Sequence, residues 1–187
     1  MAANERHQDA YVFVPSGSSK TLDDLKALWK EGIVRYATRV LSGAFGAVAF
    51  VEAPIGDEAL YELRDKLTAV RDRVNPGTSV GLALQIGPMA PSRWSEKKKV
   101  GAYVRIRAQN GMALAVFDAV NSLPAGVYFG SALVLGDWDV LLELGADSLE
   151  EMKRQLIEQV HPIPGVLWTD SAVVINDIHE PGGPGDQ

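Results

Sequence analysis

The chain has 187 residues, 47% of them hydrophobic and 22% charged, with a formal net charge of −6 and no cysteine. Such a balance suits one large folded domain or two small ones. Lack of cysteine excludes disulfide and thiolate chemistry, the acidic balance disfavours a phosphate backbone as partner, and no apolar run reaches the roughly 20 residues of a membrane span.

The opening MAANERHQD is polar and carries no hydrophobic signal-peptide core, so a cytoplasmic protein is expected. Residues 1–9 and 179–187 have the composition of disordered tails. Tyr11 to Val14 reads as a short strand. Thr21 is then the expected N-cap of a helix with Leu22, Leu25, Leu28 and Trp29 on one stripe and Gly32 at its end. Ile33 to Leu41 and Phe45 to Ala53 read as strands joined at Ser42-Gly43-Ala44. A helix over Asp57 to Val74 turns Leu60, Leu63, Leu67 and Val70 inward. Asn75-Pro76-Gly77 stops it, and Ser79 to Ile86 is a further strand.

Residues 87–99, GPMAPSRWSEKKK, have no periodicity and read as a linker, with Trp94 as a plug over an apolar edge. The dense basic run Lys97 to Lys99, with Arg93 nearby, suits a solvated linker better than a nucleic-acid contact. Ala102 to Ala108 follows as a strand, and Met112 to Asn121 as a helix burying Met112, Val116, Phe117 and Val120. Val127 to Leu135 and Trp138 to Ala146 are two long apolar strands about a Gly136-Asp137 corner, which is hairpin chemistry. Ser148, with Glu151 three residues on, has capping-box spacing and opens a helix to Val160. After the turn Pro162 to Gly165, Val166 to Ile175 is the last strand.

The halves overlay at an offset of about 93 residues: Tyr36 on Phe129, Gly43 on Gly136, Phe45 on Trp138, Leu63 on Leu156. Element order and turn chemistry agree, which points to an internal duplication. The expected domains are a ferredoxin-like βαββαβ unit over 10–86, the linker 87–99, and a second unit over 100–178. Each α+β unit would have an apolar second sheet face whose burial contributes about 25 cal/mol per Å². The two are therefore expected to pack sheet to sheet as an intramolecular dimeric α+β barrel.

Several short stretches of the second half occur in a telling order: Ala102-Tyr103-Val104-Arg105-Ile106, Leu135 to Leu142, Asp147 to Glu151, and Ile163-Pro164-Gly165-Val166 with Thr169 and Ser171. From Gly101 to about Asn176 the chain resembles the ligand-binding (RAM) domain of the Lrp/AsnC regulators. That resemblance implies a site for an amino-acid effector at Gly136, Asp137, Trp138 and Asp139, with Thr169. It also implies a homo-oligomer or an Lrp/AsnC-like protein partner, and no cofactor. The family's helix-turn-helix has no counterpart ahead of the first strand, so no direct contact with nucleic acid is expected. In the first half Gly43-Ala44-Phe45-Gly46 replaces the corner and lacks both carboxylates, so that copy is expected to have lost the site.

From the residues alone, the Gly136–Asp139 stretch has two readings. Gly-Asp can be a plain turn with Asp139 holding backbone amides, or Asp137 or Asp139 can accept a ligand ammonium. His161 fits a helix C-terminus; with His7 and His179 in the tails, no zinc site is expected. Arg35 with Arg39, and Arg105 with Arg107, alternate to one side of their strands and suit an exposed face or an anionic ligand. No Ser-His-Asp order, P-loop or dinucleotide fingerprint occurs. A non-catalytic effector-binding and oligomerisation module leads. The alternatives are a small dimeric α+β barrel enzyme, monooxygenase or isomerase, with its pocket between sheet and helices, and a structural assembly unit.

Overall fold

The computed structural model describes residues 7–15, 17–41, 44–54, 58–74, 81–85, 98–124 and 128–175. The chain divides into two compact units. The first holds the described residues up to Arg39 and from Phe45 to Leu84; the second holds Val40, Leu41, Ala44 and those from Gln85 onward.

The first unit runs β1 (His7–Val14), α1 (Ser19–Lys30), β2 (Tyr36–Arg39), β3 (Ala47–Pro54), α2 (Ala59–Val74) and β4 (Gly81–Gln85). Its antiparallel strands lie in the order β2-β3-β1-β4, with Ala10 opposite both Val51 and Leu84. Strand alternation sends Ala10, Val12 and Val14, with Ala49 and Val51, against Leu25 and Leu28 of α1 and Leu63 and Val70 of α2. On the other face Phe50 stacks on Tyr36 at 5.0 Å and meets Tyr11 edge-on at 5.0 Å.

The second unit runs β5 (Val100–Ala108), α3 (Ala113–Asn121), β6 (Tyr128–Gly136), β7 (Val140–Ala146), α4 (Leu149–Gln155), a π-helical turn (Leu156–Val160) and β8 (Val166–Ile175). Its order is β6-β7-β5-β8, again antiparallel. Ala102, Val104 and Ile106, with Val140, Leu142 and Leu144, pack on Val116 and Val120 of α3 and Met152 and Val160 beyond. The Leu41 N–H donates to the Val173 carbonyl at 2.7 Å, which ties this stretch to β8.

Both units thus have the ferredoxin-like α+β order, with Ala10 opposite Val51 matched by Ala102 opposite Leu144. Ser148 caps α4 as expected, its Oγ accepting from the Glu151 N–H at 3.1 Å, while the return bond falls one residue before the cap, Glu151 Oε2 accepting from the Asp147 N–H at 2.8 Å. No helix among the described residues is long and apolar enough to cross a membrane.

Several elements depart from the sequence reading. The N-cap of α1 is Ser18, not Thr21; Ser18 Oγ accepts from the Thr21 N–H at 3.2 Å, starting the helix earlier. β2 is confined to Tyr36–Arg39 because its flanks are committed elsewhere. The Ile33 N–H caps α1 at the Leu28 carbonyl (2.9 Å), and Leu41 goes to β8. β1 starts at His7, ahead of Tyr11, since its ladder with β3 continues to Pro54. Leu60 points outward and is 62% exposed, a turn too early on α2 to reach the core. The Ser42-Gly43 corner and the linker with Trp94 lie outside the described residues, apart from Lys98 and Lys99 at the linker's end.

Candidate functional site

The corner joining β6 to β7 is built from its backbone outward. Gly136 has φ of 141°, in the region that favours glycine, so the chain reverses without a side-chain clash. The Val134 N–H donates to the Asp139 carbonyl and the Asp139 N–H to the Ile106 carbonyl, both at 3.0 Å. Asp139 Oδ2 accepts from the Ala108 N–H at 2.8 Å. Asp139 is therefore a bracket that fastens the corner to β5, and that carboxylate oxygen is engaged. Asp139→Ala is expected to destabilise the protein by about 1–2 kcal/mol, because the amide of buried Ala108 loses its acceptor. Thermal unfolding checks this as a drop of roughly 3–6 °C.

Asp137 is exposed at the tip of the corner. Half-buried Trp138 lies under Arg105, whose guanidinium carbon is 4.8 Å from the ring centroid. Arg105 is only 4% exposed and forms an ion pair with Asp170. Burial lowers its pKa from the ordinary guanidinium range to about 10, opposed by the nearby negative charge of Asp137. The β5–β8 register sets Arg105 opposite Asp170 and Arg107 opposite Trp168. Trp168, 65% exposed, comes within 5.7 Å of Trp138 at a tilt of 51°. The cluster Asp137, Trp138, Arg105, Asp170 and Trp168 thus occupies one end of the sheet, on the side away from the helices.

Of the residues named from the sequence, Gly136, Asp137, Trp138 and Asp139 come together here, but Thr169 does not. It lies opposite Ile106, on the helix-facing side, with Oγ1 3.0 Å from Nε2 of His161. Arg105 joins the cluster while Arg107 is exposed, and Arg35 sits at an exposed edge 3.6 Å from Glu52. Sequence reasoning missed Trp168 and Asp170. Period-two alternation around Thr169 could have found both, since it places them together on the face opposite Thr169. Among the described residues no group of three or more His, Asp or Glu side chains could hold a metal. Chemically the cluster offers one fixed cation, one carboxylate engaged with it, one open carboxylate and an accessible indole face.

A mutant chlorite dismutase from Candidatus Nitrospira defluvii has this arrangement of elements with a TM-score of 0.55, at 11% identity over 90% of each chain. The fold is shared. Escherichia coli AsnC is also structurally similar, at 12% identity over 89% of this chain and 95% of that one, with a TM-score of 0.40. So is the transcriptional regulator NMB0573 of Neisseria meningitidis, solved with L-Met, at 14% identity over 87% and 92% and a TM-score of 0.39. No protein-family model and no curated protein matches the chain.

Proposed function

We propose that the protein is a non-catalytic effector-binding and oligomerisation module related to the Lrp/AsnC regulators, built by duplication of one ferredoxin-like unit. Its effector is a small amino-acid-like molecule held by the second unit at the Gly136 corner. The observation that carries this reading is the open carboxylate of Asp137 beside a fixed guanidinium and an exposed indole. Asp137 accepts the ligand ammonium, the corner backbone at Gly136 meets its carboxylate, and Trp138 with Trp168 covers its side chain. Asp139 shapes the corner without touching the ligand, and Thr169 plays no part in contact.

A thermal-shift screen of the amino acids, beginning with L-Met, tests this. A ligand at a hundred times its Kd stabilises by about 2.7 kcal/mol, which raises the melting temperature by roughly 5–10 °C. Asp137→Ala is expected to lower the ligand-free melting temperature only slightly, because the side chain is exposed although its charge favours the Arg105 guanidinium, and to abolish the shift. An equal shift in the variant overturns the site. If no amino acid shifts the protein while haemin produces a new visible absorption band, the enzyme alternative replaces the effector reading.

A further inference from the structure

In the first unit, well away in sequence from the corner, α2 and β4 enclose an open apolar groove of about 360 Å³. Leu60, Leu63 and Leu67 line it from the helix at one-turn spacing, and Leu82 and Leu84 from alternate positions of the strand, with Ala10 at the base. Leu60 and Leu82 remain 62% and 42% exposed, so the groove presents leucine to solvent rather than closing over it. Contiguous exposed apolar surface of this kind marks a binding surface more often than scattered single residues do. Its volume falls within the range of small-molecule sites, which are mostly apolar with a few placed polar groups.

Those polar groups are Arg64, Thr68 and Arg71, on the same helix face as the leucines. Arg64 donates through Nε and Nη2 to Asp65, and its guanidinium lies 5.3 Å from the Tyr61 ring centroid. Arg71 is paired with Asp72 at 2.8 Å. These are exposed pairs between sequence neighbours, of the kind that contributes little, and each guanidinium keeps further N–H donors for a ligand. Two guanidinium groups on the rim of a leucine groove select an anionic head on an apolar body.

We propose that this groove binds a free medium-chain carboxylate, its chain laid along the leucines and its head group at Arg64 and Arg71. The site is independent of the corner in the second unit and does not rest on the effector reading. Isothermal titration of the full chain with decanoate, below its micelle concentration, tests it. A saturable one-to-one isotherm is expected. Arg64→Glu combined with Arg71→Glu should weaken binding at least tenfold, and decyltrimethylammonium should bind at least tenfold more weakly than decanoate. Thr68→Trp should fill the groove and abolish binding, with thermal unfolding of that variant confirming that it is folded. If Thr68→Trp does not fold, the paired arginine variant carries the test alone. Non-saturable heats, equal affinity in the arginine variant, or flotation with phosphatidylglycerol vesicles in place of one-to-one binding would each overturn the proposal.

Discussion

Asp170→Ala is expected to destabilise the protein by about 3 kcal/mol, seen as a fall of roughly 6–12 °C in melting temperature. The side chain of Arg105 is 5% exposed while that of Asp170 is 27% exposed, so the cation is the more desolvated partner. Removing the carboxylate withdraws the ion-pair compensation for a charge that burial already penalises, as its pKa of about 10 records. The double variant Arg105→Met with Asp170→Ala should recover most of the loss, because an apolar pair of similar reach carries no desolvation cost. A thermodynamic cycle over the four proteins measures this; additive losses would show that the pair does not act as a unit. The pH dependence has a definite sign. Above about pH 10 the unfolded chain still holds a proton on this group that the folded chain releases, so its contribution to stability rises with pH there. Below pH 10 the group is charged in both states, its contribution is flat, and the full cost of burying the cation persists.

The ion pair also shows where the sequence was legible and where it stopped. The β6–β7 hairpin was readable because two long runs of strand-forming residues flank a Gly-Asp pair, and local chemistry alone selects that outcome. The Ser148 cap was readable for the same reason, as both partners lie within four residues. β2 was overestimated because Ile33 and Val34 have strand propensity, yet local capping bonds past Gly32 use their amides to close α1 at Leu28. At the site, the corner itself was visible, but the role of Arg105 was not. Its partner Asp170 is 65 positions away, and only the β5–β8 register brings them side by side. Asp139 remained ambiguous for a similar reason: whether its carboxylate meets a ligand or a backbone amide depends on the position of Ala108 on another strand.

That same register rests on Gly165, and Gly165→Ala is expected to destabilise the protein by about 3 kcal/mol, whereas Gly32→Ala should cost only about 1 kcal/mol. Both glycines have left-handed backbones, with φ of 92° and 74°. They differ in space: a Cβ at Gly165 would lie 2.9 Å from Cβ of Met112, while nothing lies within 4 Å at Gly32. The clash at Gly165 is with the rigid start of a side chain at the N-terminus of α3, so relief requires the α3 end or the entry to β8 to move. The Gly165 carbonyl also accepts from the Gln109 N–H at 2.7 Å, which fixes β8 against the end of β5 just before Trp168 and Asp170. A shift there pulls Trp168 from Trp138 and Asp170 from Arg105, so the near-ultraviolet circular dichroism of the tryptophan pair should weaken in Gly165→Ala and stay unchanged in Gly32→Ala. Equal melting temperatures for the two variants would mean that backbone conformation alone sets the cost. In that case the approach of Met112 to Gly165 would not be what holds β8, and with it the corner cluster, in place.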